Sequence, residues 1–426
     1  MGVYLDDRDP MHSPQPEQEQ RVSPLELFFD LAVVFGITQV TSLLSHDPTA
    51  LGLLKGMLVL GVLWWAWAGY AWLTNLLDPE EGGVRIAVFT AMAAVLIVSL
   101  SVEQAFGRNG VLFGAAYFVV RALLLVLFAV AGRGKPELLR NVIKITPVGI
   151  LGPGLLIVAG TLDGTAQLAL WGLALLVDYL GVLIGDIGAW RISLHHLVER
   201  YGLVMIIALG ESIFAIGIAL AGSPLTVGVI MAASLGIAVS AALWWSYFDW
   251  VRFAGQAKLA EETGAARAAL ARDAYSYLHL PMVAGIVLFA FGLEATLVDV
   301  GGSLSGIHAL GLSGGIAIYL IAHVALRLRF RGGFGRGRPI AAILLLAFIP
   351  VAIQLPALGA LGVVASVCVL LITYEVLWHR ESRAFIRGRR GQFTLEEVER
   401  IAAEERVHQP SVLRRRSGRR TRANGP

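Results

Sequence analysis

Two apolar stretches of membrane length each carry a carboxylate, and they do so in nearly the same frame. The first reads Phe28-Phe29-Asp30-Leu-Ala-Val-Val-Phe-Gly36-Ile37-Thr38, the second Leu209-Gly210-Glu211-Ser-Ile-Phe-Ala-Ile-Gly217-Ile218-Ala219. Asp30 aligns with Glu211, Gly36 with Gly217 and Ile37 with Ile218. A charge at the centre of a bilayer costs roughly 2.5–3.5 kcal/mol on insertion scales, so an acid kept there is a candidate for binding or relaying a proton or cation. Glu26 stands one helical turn before Asp30 on the same face. These residues predict a proton- or cation-binding pair, one carboxylate from each half of the chain. The alternative is that each acid merely caps or pairs with a neighbouring helix.

Further polar residues sit inside apolar runs. Glu103 and Glu294 each end a membrane-length run and are secondary candidates for an ion path. Arg121 and Asp178 fall near the middle of two runs, and His323 and Glu375 repeat that arrangement later. A mid-membrane guanidinium must find a counter-charge, which predicts an Arg121–Asp178 pair and a weaker His323–Glu375 pair. Buried bridges between helices and a proton relay through His323 are both open readings. His195, His196, Glu199 and Arg200 precede the second acid-bearing stretch. Their spacing is not that of a zinc helix, and they are expected to be solvated loop residues. No catalytic residue, metal site or cofactor is expected, since neither a nucleophile–base pair nor metal-ligand spacing is present, and no enzymatic activity is assigned.

The elements that must hold these groups follow from composition. Of 426 residues, 56% are apolar and 15% charged, and mean hydropathy is +0.70. A soluble domain is nearer a quarter charged. Runs of about 20 apolar residues recur along the chain, the signature of membrane-spanning helices. The fold class is therefore an all-α polytopic membrane protein. About twelve spans are expected, at 25–45, 52–75, 85–105, 111–132, 145–162, 166–186, 201–221, 225–248, 277–298, 306–328, 339–355 and 358–379. The run holding Pro350 and the one holding Pro147 and Pro153 are the weakest of these. Even-numbered connections collect Lys and Arg, whereas the odd-numbered ones hold Arg108 alone, with Lys55 near one edge. That asymmetry puts both termini in the cytoplasm.

The likeness between the two acid-bearing stretches extends further. Trp64-Trp65-Ala-Trp67 follows Asp30, and Trp244-Trp245-Ser-Tyr247 follows Glu211 at a matching distance. Glu103 answers to Glu294, Tyr117 and Arg121 to Tyr319 and His323, and Asp178 to Glu375. Five such correspondences in one order predict two parallel six-helix repeats, residues 25–190 and 191–380. Residues 253–275 are then an insert in the second repeat, read as a cytoplasmic or interfacial helix. Residues 1–24 are expected to be a disordered cytoplasmic arm and 381–426 a basic cytoplasmic tail, with a short helix over 394–407. Gly210, Gly217 and Ala221 share a helix face and are expected to pack closely against another helix. The tryptophans are expected mostly in an interfacial belt. Cys368 is the single cysteine, so no internal disulfide is possible.

These residues resemble the bacterial low temperature requirement protein A family. The likeness rests on Glu26-Leu-Phe-Phe-Asp30 through Gln39, Glu199-Arg200-Tyr-Gly-Leu through Glu211-Ser, Trp244-Trp245-Ser-Tyr-Phe-Asp249, and His279-Leu-Pro281 leading to Glu294. It spans roughly residues 20–380. It implies a multi-pass protein of the bacterial cytoplasmic (inner) membrane. The frame around Asp30 and Glu211 is also similar to the first-helix signature of potassium channels with six-helix repeats. Where that signature has Ser before the acid, this chain has Phe29 and Gly210, and its second acid is Glu. The expected function is movement of a small solute or ion along the intramembrane carboxylates. A cation (potassium- or proton-permeable) channel and a non-transporting protein supporting growth in the cold are the alternatives. The expected partners are the bilayer, with anionic lipids at the basic tail, and a small solute or ion, but not nucleic acid. A homo-oligomer is left open.

Overall fold

The computed structural model describes residues 22–190, 193–222, 224–330 and 335–378, with isolated positions at 397 and 400. Residues 1–21 of the arm expected over 1–24, the basic tail and the helix over 394–407 lie outside the described residues, those two positions aside, while Ser23 and Pro24 at the end of that arm instead cap and begin the first helix. Apart from an isolated bridge between Ser303 and Pro356, the regular structure among the described residues is helical. Lipid offers the backbone no hydrogen-bond partners, so a spanning segment must satisfy its own amides and carbonyls, as a helix does.

The first six long helices are α1 (Pro24–His46), α2 (Ala50–Leu73), α3 (Gly82–Leu100), α4 (Gly110–Ala131), α5 (Pro136–Ala159) and α6 (Gly164–Gly181). Then come α7 (Leu194–Ala219) and α8 (Val227–Ser246). A π turn, Tyr247–Val251, carries α8 into α9 (Arg252–Glu261). After α10 (Gly264–Ala271) a second π turn, Arg272–Tyr277, leads into α11 (His279–Val298). The insert is thus not one helix but two, continuous with the spans on either side. The short α12 (Gly306–Ala309) runs through Leu310–Gly314 into α13 (Gly315–Arg329), followed by α14 (Gly337–Ala352) and α15 (Ala357–Trp378). Among the described residues, eleven helical stretches are long and apolar enough to cross a membrane, and α14 is shorter. Pro147 and Pro153 sit within α5 without ending it.

The bundle is apolar outside as well as inside. Ile86, Ile143, Leu370 and Val227 are among many large apolar side chains left exposed on its perimeter, a surface suited to acyl chains and not to water. Glycines allow the closest helix approaches. A Cβ on Gly160 would strike the backbone of Gly110 and Val111, joining α5 to α4, and one on Gly285 would strike Gly315 O, joining α11 to α13. The expected stripe on α7 does something else: a Cβ on Gly210 or Gly217 would meet nothing within 4 Å. That face points outward, beside the exposed Ile213, Phe214 and Ile218.

Pairings recur in the two halves. α1 packs on α2 and α3, α3 on α4, α4 on α5, α5 on α6, and α2 on α6. Likewise α7 packs on α8 and α11, α11 on α13, α13 on α14, α14 on α15, and α8 on α15. The halves meet through α1 and α2, which both touch α7 and α11. This central position explains why Trp64, Trp65 and Trp67 do not form a belt. All three are buried, and Trp64 Nε1 donates to Ser276 O at 2.7 Å across the junction. Trp244 and Trp245 on α8 are exposed, 45% and 37%, as belt residues would be.

Candidate functional site

Helix α1 organises the polar interior. Its start is fixed by a capping box, in which the Ser23 amide donates to Glu26 Oε2 at 2.8 Å and the Glu26 amide to Ser23 Oγ at 3.3 Å. From there one side of α1 carries Glu26 and Asp30, then apolar residues, then Thr38, Thr41, Ser42 and Ser45. The apolar interval separates two sites of different chemistry.

At the first site, Arg200 Nη1 donates to Asp30 Oδ2 at 2.9 Å, and Trp67 Nε1 donates to Asp30 Oδ1 at 2.8 Å. Glu26 Oε1 lies 3.0 Å from His196 Nε2 and 3.5 Å from Arg200 Nε. The Arg200 guanidinium also sits 5.8 Å from the centre of a Trp67 ring, within cation–π range. Glu26, Asp30, His196 and Arg200 are all buried. His196 and Arg200 are therefore core residues, not the solvated loop residues expected. The signal was in the spacing. His196 and Arg200 are four apart on α7, and Glu26 and Asp30 are four apart on α1, so two adjacent helices present matched pairs one turn apart.

At the second site, Thr38 Oγ1 donates to Glu211 Oε2 at 2.8 Å. Ser42 Oγ donates to Glu103 Oε1, and Ser45 Oγ to Glu294 Oε2, each at 2.8 Å. Three acids from three elements, α7, the turn Val102–Gln104 after α3, and α11, thus meet three hydroxyls of one helix. Thr38 and Ser45 are seven residues apart, a rise of about 10 Å. Among the described residues no Lys or Arg pairs with these three acids. Glu211 is buried, and its Oε1, Thr41 Oγ1 and Ser212 Oγ find no hydrogen-bond partner. The structure brings Glu103 and Glu294 to α1 beside Glu211, but it keeps Asp30 apart. Asp30 and Thr38 are eight residues apart, so the two motif carboxylates are separated by about 12 Å along α1. The hydroxyls were missed from sequence, although Thr38, Thr41, Ser42 and Ser45 lie at helical spacings on one side.

The remaining polar pairs are bridges between helices. Arg121 Nη2 lies 3.3 Å from Asp178 Oδ1, as expected, and Tyr117 Oη donates to Asp178 Oδ2 at 2.7 Å. His323 and Glu375 are linked differently from the pair expected. Arg338 enters from the first turn of α14, donating from Nε to Glu375 Oε1 at 2.8 Å and from Nη1 to His323 Nδ1 at 2.8 Å. The long stem of Arg lets a residue at a helix end place its charge inside the bundle. His279 is buried and bonded to Tyr247 Oη and Ala274 O, at 2.9 and 2.8 Å. Among the described residues no group of three or more His, Cys, Asp or Glu could hold a metal ion.

Comparison with known proteins agrees with this architecture. Residues 21–373 match the family described as bacterial low temperature requirement A protein. An uncharacterized protein of Rhizobium meliloti (strain 1021) is 31% identical over 285 residues, which covers 64% of this chain and 68% of that protein. No solved structure matches.

Proposed function

The chain belongs to the bacterial low temperature requirement A family, and we propose that this integral membrane protein moves a small solute or ion along α1, with Glu211 as the central binding group. One observation carries the reading, and it is made of the described residues. Glu211 is buried with no basic partner, and only hydroxyls meet it, Thr38 at 2.8 Å with Thr41 beside it. Leaving a carboxylate so placed is costly unless a proton or cation joins it. Thr38 and Thr41 beside it, and Glu103 and Glu294 further along α1, extend a path of oxygens towards the end of the bundle opposite Arg200. At the other end the Glu26–Asp30–His196–Arg200 cluster closes the path with its own counter-charges.

In this reading the protein lies in the inner membrane with both termini in the cytoplasm, is built of two parallel repeats, and performs no covalent chemistry. The clustering of Lys and Arg at alternate connections supports the orientation. The recurring helix pairings support the repeat.

The test is flux in proteoliposomes under imposed potassium, sodium and proton gradients. Wild type should carry flux in at least one gradient, and Glu211→Gln should lose at least tenfold of it. Equal flux in the two proteins would remove Glu211 from the path. An absence of flux in well-folded wild type under all three gradients would sink the ion reading. If Glu211→Gln also left growth in the cold intact, the non-transporting role would stand instead.

A further inference from the structure

A cavity lies away from the α1 path, among α2, α4, α5 and α6. Its volume is about 100 Å³. The walls are largely apolar and include Trp65, Trp72, Phe128 and Trp190. Arg121 and Asp178 form the inner end, both buried. Trp190 and Arg272, both part-exposed, form the end nearest the α9–α10 insert.

Two details of hydrogen bonding define what would fit. Asp178 already accepts from Arg121 and Tyr117, one on each oxygen. Arg121 Nε and Trp65 Nε1, in contrast, are buried donors with no acceptor. They are the orphaned buried polar atoms among the cavity's side chains, and both are donors. A ligand that satisfies them must supply acceptor oxygens. Charge at the mouth points the same way. Arg272 and Arg329 both bind Asp273, at 2.7 and 3.0 Å, so two guanidiniums on one carboxylate leave one positive charge beside the opening. Such a charge draws anions towards a cleft with low-dielectric walls.

We propose that this cavity is a binding site for a short-chain monocarboxylate, with its alkyl body between the aromatic walls and its carboxylate on Arg121 Nε and Trp65 Nε1. The size follows from the volume. A cavity of about 150 Å³ holds benzene, with six carbons, so one of this size holds a body of about four. Arg suits the head group, because its planar donors match a carboxylate.

Tryptophan fluorescence of the purified full chain in detergent provides the readout, since three of its ten tryptophans, Trp65, Trp72 and Trp190, line the cavity. Butyrate, n-butanol and butylammonium serve as probes at constant ionic strength. For a ligand of six heavy atoms, a dissociation constant on the order of 1 mM is expected. Butyrate should give a saturable change, with n-butanol at least tenfold weaker and butylammonium weaker still. Arg121→Lys keeps a charge against Asp178 but has no Nε, and it should weaken butyrate about tenfold. Should that variant not fold, Arg272→Gln at the mouth should weaken butyrate about threefold while leaving n-butanol unchanged. Equal affinities for butyrate and n-butanol would overturn the proposal, as would the lack of a saturable response to butyrate. Because the readout is binding in detergent, the result stands apart from any outcome of the flux measurement.

Discussion

Asp30 and Glu211 occupy one sequence frame and are equally buried, yet they live in opposite electrostatic settings. Asp30 faces a guanidinium and an indole N–H, whereas Glu211 faces a threonine hydroxyl. The glycines six residues on differ in the same sense. A Cβ on Gly36 would press on Ser99 Oγ at 2.7 Å, but one on Gly217 would meet nothing within 4 Å. α1 is enclosed by α2, α3, α7 and α11, while α7 turns its glycine face to the perimeter. A carboxylate with its counter-charges built in acts as structure. One held by a hydroxyl alone remains able to take up a charge that arrives from elsewhere.

Removing the counter-charge should give the largest difference between the two acids. Arg200→Leu leaves Glu26 and Asp30 buried with His196 alone to balance them. Breaking a buried pair from one side costs about 3–5 kcal/mol, so thermal unfolding in detergent should show a large loss. Glu211→Gln, which keeps an acceptor for Thr38, should shift stability by no more than about 1 kcal/mol. If both variants unfold alike, the distinction between a structural and an available carboxylate fails. Trp67→Phe sharpens the same point, since it deletes one bond to the Asp30 carboxylate. A hydrogen bond to a charged group is worth about 1.5–3 kcal/mol, and combination with Asp30→Asn should show non-additive losses, because the two residues touch.

The glycines provide a third contrast. Gly285→Ala would push a methyl into the Gly315 carbonyl and the Tyr319 amide, an overpacking worth about 1–3 kcal/mol. Gly217→Ala meets open space in a helix interior and should stabilise by about 0.5–1 kcal/mol. Melting temperatures moving in the same direction for both variants would contradict the placement of α7 at the perimeter.

How much of this was legible in the sequence depended on how many candidates each charge had. Arg121 sits at mid-membrane with Asp178 at a similar depth, so that pair could be inferred although the two are 57 positions apart. The membrane class and the spans followed from long apolar runs, which need no knowledge of neighbours. Arg200 and His196 were misjudged, and Arg338 was not singled out, because each lies at a helix end, where sequence offers water as an easy partner. Their side chains instead reach inward, to Asp30, Glu26, and the His323–Glu375 pair. Trp64, Trp65 and Trp67 look like belt residues because they are tryptophans near the end of a span. Only the position of α2 at the junction of the halves buries them. The glycine stripe of α7 failed in the reverse way: small residues on one face permit close packing, but they do not supply the helix to pack against.

The smallest effect on stability should come from the hydroxyl bonded to Glu211. Thr38→Val keeps the shape of the side chain and deletes the 2.8 Å donor to Glu211 Oε2. Thr41 beside the same carboxylate replaces part of the lost bond, so the loss should be about 0.5 kcal/mol, below that of a fully lost bond to a charged group, and the fold should persist. The consequence for flux should exceed that for stability. With Thr38 gone, Glu211 is left with Thr41 as its hydroxyl neighbour, and its carboxylate is no longer fixed towards α1. Flux through Thr38→Val should then fall well below wild type, whereas Thr38→Ser should follow wild type. Unchanged flux in Thr38→Val would mean that the Thr38 hydroxyl does not hold Glu211 for the charge that moves, even if the burial of Glu211 without a counter-ion among the described residues is correct.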